Sequence, residues 1–386
     1  MRRAVITLAA CGLARGGGAP SDALPWLRVR AVDAEANPKA FRRHVLADEY
    51  GRELTLRGAC VESEERNFAA PGRQRPVSPA AYANGSCPVN RAGAGDVGYA
   101  EPPICGVDAG KGRWAADASA TGRNDFAQAR ALGFNVVRLC LSWSELEAIP
   151  GVYDAAYVER VAQMVAWARE QGVYVILDLH EDLYSLYIQP TPNEPSYPPF
   201  LTPTGGQDGA PAWAVQTDGW PPLALGGVGD LNLAVLRAFD NFYNNVVMNV
   251  SQGAAPGPGL QDHYIGALAA LAARFVDEPT VAGWEVINEP LPGWRNLLDP
   301  AAQARESLFP LYRRAVQAIT GERDGLPDCP RGAAPPPGAP CAYADLGVRD
   351  TRHAFFVEPS ALRNTFDATF DGQGVWTNYS NIVFTP

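Results

Sequence analysis

Residues 284–290 read Trp-Glu-Val-Ile-Asn-Glu-Pro, and this stretch decides the fold that the chain is expected to adopt. Its apolar residues predict a short buried strand. Pro290 lacks a backbone N–H and disfavours helix at the residue before it, so the strand should end there. Glu289 would then stand at the C-terminal end of the strand beside Asn288, at the edge where parallel barrels collect catalytic groups. A solvent-exposed glutamate followed by a proline in a turn would give the same sequence pattern, so the interpretation depends on residues upstream.

Strands and helices alternate from residue 50 onward, which is typical of α/β folds with a parallel sheet. The proline-rich interruption 186–260 indicates binding loops. Periodicity and turn residues predict strands over 52–58, 134–141, 173–179, 281–287, 354–357 and 381–384, and helices over 125–132, 157–171, 265–275 and 307–319.

Four polar residues stand in order at or near the ends of the second, third and fourth predicted strands: Arg138, His180, Asn288 and Glu289. In this order the chain resembles glycoside hydrolase family five, and within it the endoglycoceramidase-like glycosidases, which act on glycolipids. Narrower marks of that subgroup are Leu-Asp-Leu-His at 177–180, followed by Asp182, Tyr184 and Ser185, and Gly-Ala-Pro-Ala-Trp-Ala at 209–214. The resemblance implies a (β/α)8 TIM barrel from about residue 50 to the C-terminus.

The resemblance also implies the roles of the site residues. Glu289 would be the catalytic acid/base, and Asn288 would hydrogen-bond the 2-hydroxyl of the sugar. Arg138 would orient the nucleophile, while His180 and Asp182 would bind sugar hydroxyls. Without the ordered set, an ion pair for Arg138 and a buried structural histidine for His180 would be the simpler interpretations.

The nucleophile of the family ends the seventh strand, whereas this chain reaches Pro386 at the start of the predicted sixth. We therefore expect a fragment: an incomplete barrel, open between its first and sixth strands and inactive by itself, with the nucleophile beyond Pro386. Glu358 follows the fifth strand. It is expected to bind substrate or to hold an arginine rather than to act as the nucleophile.

Aromatic residues follow several strands or lie in the long loops, where their rings could stack on sugars or line a slot for a lipid tail. Trp143, Tyr184 and Trp213 are assigned to substrate binding on this basis, and Trp220 and Trp294 share the pattern. Packing in the core is the alternative for each of them. Two departures from the family are Cys60, where Asn is common, and Glu181, where the subgroup often has Gln.

The N-terminal segment 1–24 resembles an export signal, and Cys11 lies in a sequence similar to a lipoprotein cleavage box. Residues 25–386 form the partial barrel, with insertions at 62–113 and 186–260. The spacing of the cysteines favours disulfides across two irregular loops, Cys87–Cys105 and Cys329–Cys341. Cys60 and Cys140 fall on neighbouring strands and are expected to be buried thiols rather than a third disulfide.

Composition excludes several classes of protein. A net charge of −10 argues against nucleic-acid binding, and no run of about 18 apolar residues predicts a membrane span. Four histidines without Cys-x-x-Cys or His-x-His spacing argue against a metal site, and no cofactor is expected.

The sequence thus predicts a retaining β-glycosidase, secreted or in the cell envelope and monomeric, that cleaves a glycolipid such as a glycosylceramide. Contact with a membrane surface would come through that substrate. One alternative is a β-glucosidase, glucanase or steryl-glucosidase of the same family, acting on an oligosaccharide or steryl glucoside. A second is a non-catalytic protein that binds carbohydrate or lipid.

Overall fold

The computed structural model describes residues 23–32, 43–61, 123–190, 197–247, 257–323, 325–327, 345–362 and 379–384. Several predictions concern residues outside these ranges. They are the signal-like segment apart from its last two residues, Cys11, the insertion 62–113, and the two loop disulfides Cys87–Cys105 and Cys329–Cys341.

The described residues form eleven strands. They are β1 (Leu27–Val32), β2 (Arg43–Asp48), β3 (Glu53–Leu54), β4 (Gly58–Val61), β5 (Val136–Ser142), β6 (Tyr174–His180), β7 (Leu201–Pro203), β8 (Leu223–Leu225), β9 (Val281–Glu285), β10 (Ala354–Val357) and β11 (Ile382–Phe384).

Six parallel strands form the main sheet, which has the order β4-β5-β6-β9-β10-β11. Within the described ranges, β4 pairs only with β5 and β11 only with β10, so the sheet is open between β4 and β11. Two smaller antiparallel sheets, β1-β2-β3 and β7-β8, accompany it.

The first parallel strand differs from the prediction. The stretch 52–58 was expected to form it, but Glu53–Leu54 pairs antiparallel with β2, and the parallel strand begins only at Gly58. Close approach to β5 explains this boundary, because a Cβ atom at Gly58 would lie 1.9 Å from the carbonyl oxygen of Val136. Only glycine fits at that point.

Helices pack against the parallel sheet. They are α1 (Arg123–Ala131), α2 (Trp143–Leu146), α3 (Ala155–Glu170), α4 (Leu233–Tyr243), α5 (Leu260–Phe275), α6 (Pro300–Gln303) and α7 (Phe309–Thr320), with a π-helical turn at Ala304–Leu308. Helix α4 was not predicted, since the segment 186–260 was expected to contain loops alone. The side chain of Asn232 caps it by accepting hydrogen bonds from the backbone N–H groups of Ala234 and Val235. No helix within the described ranges is both long and apolar enough to cross a membrane.

The apolar core lies between the sheet and the helices, and one buried hydroxyl joins it to the edge where the strands end. Tyr264 on α5 donates to the carbonyl oxygens of Leu179 and Val286, at 2.9 and 2.7 Å. These two residues lie at the ends of the third and fourth parallel strands. Helix α5 therefore fixes the positions of the two strand ends relative to each other.

Asn381 connects the edge where the last two parallel strands begin to β1 of the N-terminal sheet. Its side chain accepts from the N–H of Val29 at 2.8 Å and donates to the carbonyl oxygen of Arg352 at 2.8 Å. Asn381 is buried, so removal of this amide would leave backbone groups without partners.

We expect Asn381→Ala to lower the free energy of unfolding of the whole protein by about 1–3 kcal/mol. The exposed neighbour Ser380 provides the matched control, because Ser380→Ala should change it by less than about 0.5 kcal/mol. Urea denaturation of the three proteins measures the difference. Equal midpoints for the two variants would show that Asn381 does not hold the sheets together.

Candidate active site

A single guanidinium group organises the site. Arg138 lies in the middle of β5, and its side chain is 22% exposed. Its Nε donates to Glu285, and one terminal nitrogen donates to Asn288 Oδ1 at 2.8 Å. The same nitrogen lies 3.0 Å from an oxygen of Asp178 and 3.6 Å from one of Glu358. Arg138 thus contacts residues on or just after β6, β9 and β10.

The alternation of side chains along the strands brings these groups to one face. In the sheet Asp178 pairs in register with Cys140 on one side and with Glu285 on the other. Residues two apart on a strand share a face, so Arg138 lies on the same face as Cys140. Asp178 and Glu285 belong to the stretches 177–180 and 284–290, but the sequence suggested no role for either residue. The available signal was a charged residue inside an apolar strand, which is rare unless the charge is paired.

His180 is oriented by Asp178. Its Nδ1 lies 2.5 Å from Asp178 Oδ2, and both side chains are buried. Burial acts to raise the pKa of Asp178, but the positive charge of Arg138 and the contact with His180 outweigh it and hold that pKa below its usual value. An ionised Asp178 can only accept, so Nδ1 carries the proton. Nε2 then faces Asp182, whose carboxylate lies 3.8 Å away.

The amide of Asn288 is fixed at both ends. Its Oδ1 accepts from Arg138, and its Nδ2 donates to the carbonyl oxygen of Glu181 at 2.9 Å. Strand β9 ends at Glu285, two residues earlier than predicted, and the chain then carries Asn288 and Glu289 past the sheet. Asn288 is therefore held rigidly beside Glu289.

Glu289 is exposed, although both of its neighbours in the chain are buried. Its φ of +35° is unusual for a residue with a side chain. The backbone N–H of Glu289 donates to Glu358 Oε2 at 2.7 Å, which anchors this conformation. A carboxylate that points into solvent from a fixed backbone is well placed to exchange protons with a bound molecule.

Glu358 lies between the backbone of Glu289 and the Arg138 cluster. Burial, together with the neighbouring carboxylate of Glu285, raises the pKa of Glu358 well above its usual value, and Arg138 only partly opposes this. The hydroxyl of Tyr312 on α7 donates to the Glu358 carbonyl oxygen at 2.6 Å. Glu358 is therefore a rigidly held carboxyl group that favours the neutral form.

Three aromatic residues assigned to substrate binding lie in the core instead. Trp143 and Trp213 are each 2% exposed, and both ring N–H groups donate to Glu147, one to its carboxylate and one to its carbonyl oxygen. Tyr184 is also buried, and its hydroxyl donates to Ala214 at 3.0 Å. Their polar atoms are satisfied inside the protein, so the assignment of these rings to the sugar-binding surface was wrong.

Trp220, by contrast, lies at the surface and is 45% exposed, and Trp294 beside it is half-buried. Their ring centroids are 5.5 Å apart. Trp220 follows β6 in the chain, and Trp294 follows β9. Trp220 is the member of this pair that is more accessible to a ligand.

Two clusters within the described residues have the donor atoms of a metal site. In the first, Cys140, Asp178 and His180 come together, but Arg138 already supplies the positive charge there. The second joins His180 to Asp182 and Asp208. Its half-buried member, Asp182, offers the same oxygens to sugar hydroxyls, so neither cluster is assigned to a metal.

The family is identified by the sequence around this site. Residues 99–321, more than half of the chain, match the model of the cellulase family, glycosyl hydrolase family 5. The chain belongs to glycosyl hydrolase family 5. Its six parallel strands are accordingly strands of a (β/α)8 barrel.

Among its relatives, this family-5 chain is 30% identical over 198 residues to endoglycoceramidase I of Rhodococcus hoagii (strain 103S), covering 49% of this chain and 33% of that protein. A crystal structure of endogalactoceramidase superposes with a TM-score of 0.62 at 31% identity, covering 94% of this chain and 59% of the other. Endo-glycoceramidase II from Rhodococcus sp. in its ganglioside GM3 complex gives 0.51 at 27%, covering 82% and 52%. The chain thus spans one third of the curated relative and just over half of each structure.

The protonation of Glu358 predicts a pH dependence of stability. Because its pKa in the folded protein is raised above the usual 4.5, the folded state binds a proton that the unfolded state loses. This contribution is complete below pH 4.5 and falls as pH rises toward the folded pKa, by about 1.4 kcal/mol per unit. Glu358→Gln has no such proton.

We therefore expect the wild-type protein to lose stability relative to Glu358→Gln as pH rises above 4.5. Urea unfolding of both proteins across a pH series measures the difference in the free energy of unfolding. A difference that stays constant with pH would contradict a neutral Glu358.

Proposed function

We propose that the whole protein is a retaining glycoside hydrolase that cleaves a β-glycosidic bond in a glycolipid, with glycosylceramides as the substrate class. The observation that carries this proposal is Glu289. It is an exposed carboxyl group on a backbone fixed by Glu358, beside an amide that Arg138 and Glu181 hold in place. The family membership of the chain supports the same reaction class.

Glu289 is proposed as the acid/base. Cleavage of a glycosidic bond places negative charge on a poor leaving group, which must receive a proton while positive charge develops on the sugar ring. A positioned carboxyl group that supplies this proton typically accelerates the reaction by about 10²–10⁴. Glu289 is the described carboxyl group at this strand end that is exposed to a bound substrate.

Asn288 and His180 are proposed to bind the sugar that is being cleaved. Asn288 Nδ2 carries a second N–H beyond the one used for Glu181, and a contact with the sugar 2-hydroxyl would strengthen in the transition state. The Nε2 of His180 and the carboxylate of Asp182 face each other across 3.8 Å and can accept hydrogen bonds from neighbouring sugar hydroxyls. These residues would orient the ring so that its glycosidic oxygen meets Glu289.

A retaining enzyme also needs a carboxylate nucleophile about 5–5.5 Å from the acid. Glu358 is close to Glu289, but its raised pKa favours the neutral form, and one of its oxygens already accepts from the Glu289 backbone. We assign Glu358 to holding Glu289 and Arg138 in place. The nucleophile is proposed to be another carboxylate, outside the described residues, that Arg138 would keep ionised.

The glycolipid substrate is supported by the relatives, since the similar proteins carry names of ceramide glycosidases. The exposed ring of Trp220, packed against the half-buried Trp294, offers an apolar surface where a lipid portion could lie. A β-glucosidase, glucanase or steryl-glucosidase of the same family remains the alternative within this reaction class. Export to the cell envelope or the medium is proposed from the signal-like segment 1–24, and sequencing the N-terminus of the mature protein tests it.

Removal of the transferable proton tests the acid role. Glu289→Gln preserves shape, so the variant should fold normally and lose about 10²-fold or more of its turnover on a glycosylceramide. An aryl glycoside with an activated leaving group needs little protonation, so its glycosylation step should be spared. The exposed Glu306, which forms a surface ion pair with Arg295, supplies the control: Glu306→Gln should retain full activity. Equal loss of the glycosylation step on both substrates would refute an acid role for Glu289.

The substrate class is tested by competition. Released sugar is measured from a glycosylceramide and from a cellooligosaccharide presented at equal concentration to the whole protein. Preference for the ceramide-linked sugar supports the proposal, and preference for the oligosaccharide supports the alternative within the family. If neither substrate is cleaved but one is bound, the protein is a binding module rather than an enzyme.

A further inference from the structure

Two thiols lie directly behind the arginine of the site. Cys60 is on β4 and Cys140 on β5, and their sulfur atoms are 2.7 Å apart. A guanidinium N–H of Arg138 lies 3.4 Å from the sulfur of Cys60. Cys60 is exposed, whereas Cys140 is fully buried. The pair therefore has one member that a small molecule can reach and one that it cannot.

The two sulfurs differ in their protonation. The hydrogen bond with Cys140 and the positive charge of Arg138 lower the pKa of Cys60 to about 7, against the opposing effect of burial. Burial and the contact with Cys60 raise the pKa of Cys140. At neutral pH the reachable thiol thus has substantial thiolate character, the form that attacks disulfides.

We propose that Cys60 and Cys140 form a thiol–disulfide exchange site, at which a small-molecule disulfide converts the pair into a covalent link between the first two parallel strands. The separation of the sulfurs needs to shrink by less than 1 Å to reach a disulfide bond of about 2.05 Å. Backbone pairing holds Cys60 opposite Arg138 on β5, and it holds Cys140 opposite Asp178 on β6.

The reaction balances in two steps. The Cys60 thiolate attacks one sulfur of the small disulfide, forms a mixed disulfide and releases the other half as a thiolate. Cys140 then loses its proton to solvent and attacks Cys60 Sγ, which releases the second half. The protein dithiol is oxidised by two electrons, and the small disulfide is reduced to two thiols.

The link would act on both stability and the site. The two cysteines are separated by 80 positions in the chain, and closing so long a loop restricts the unfolded state strongly. The link would join β4 and β5 covalently, in addition to their backbone pairing. It would also replace the thiolate beside Arg138 with a neutral disulfide sulfur, leaving the guanidinium to its oxygen partners.

Peptide mapping tests the proposal. The reduced whole protein is incubated with oxidised glutathione at pH 7.5, unreacted thiols are blocked, and trypsin is added without reductant. Cleavage after arginine places Cys60 alone in peptide 58–66 and Cys140 alone in peptide 139–160. We expect these peptides to be recovered joined to each other from the folded protein. In guanidinium chloride, which unfolds the protein, we expect less of this joined peptide pair. Peptides that contain Cys60 or Cys140 should then be joined to peptides that contain the other five cysteines.

Two variants test the order of the steps. Cys140→Ser should trap glutathione on Cys60, and Cys60→Ser should leave the buried Cys140 unmodified. Oxidation should raise the melting temperature of the wild-type protein by about 5 °C more than that of Cys60→Ser. The proposal is overturned if glutathione remains on Cys60 in the wild-type protein, or if Cys60 does not react at all. These readouts do not depend on glycosidase activity.

Discussion

The constraint on which the site depends is the burial of one positive charge inside the sheet. Removing a guanidinium group from water is costly unless its N–H groups meet well-placed acceptors. Arg138 receives them from residues on or after two other strands: Asp178 on β6, and Glu285 and Asn288 on and after β9. Each acceptor must lie at the correct position along its strand. A shift of one residue in the register of that strand would turn the acceptor side chain to the other face of the sheet and leave the charge of Arg138 unpaired. The cation thus helps to specify the register of the sheet.

One cation cannot neutralise every carboxyl group around it. The carboxylate of Asp178 contacts both Arg138 and His180, and its pKa is lowered. Glu358 contacts Glu285 and lies farther from the guanidinium group, and its pKa is raised. The same buried cluster therefore contains a carboxylate that favours the charged form and a carboxyl group that favours the neutral form. This division explains two features of the site: Asp178 fixes the proton on Nδ1 of His180, and Glu358 can accept from the backbone of Glu289 without adding a further charge.

The sequence predicted the strand ends better than the contents of the cleft. Parallel strands alternate with helices, and a polar residue that follows an apolar run marks the catalytic edge, so Asn288 and Glu289 could be located from the sequence pattern. Arg138 and His180 were located through the resemblance to the family. The direction of a large aromatic side chain has no such pattern. Trp143 and Trp213 therefore looked like sugar platforms, although both ring N–H groups are bound to Glu147 inside the protein. No role could be given to Asp178 and Glu285 from the sequence, because their importance depends on Arg138, which lies 40 and 147 positions away in the chain.

The geometry also explains how a rigid buried cluster can serve an exposed acid. Glu289 adopts a backbone conformation that is unfavourable for most residues, and such conformations persist only when their surroundings fix them. The fixing contacts come from both sides: Glu358 accepts from the Glu289 N–H, and Asn288 is held by Arg138. The position of the exposed carboxyl group is therefore set by groups that are themselves set by the buried arginine. A change near Arg138, whether a substitution or oxidation of the adjacent thiol pair, would reach Glu289 through these two hydrogen bonds without touching it directly.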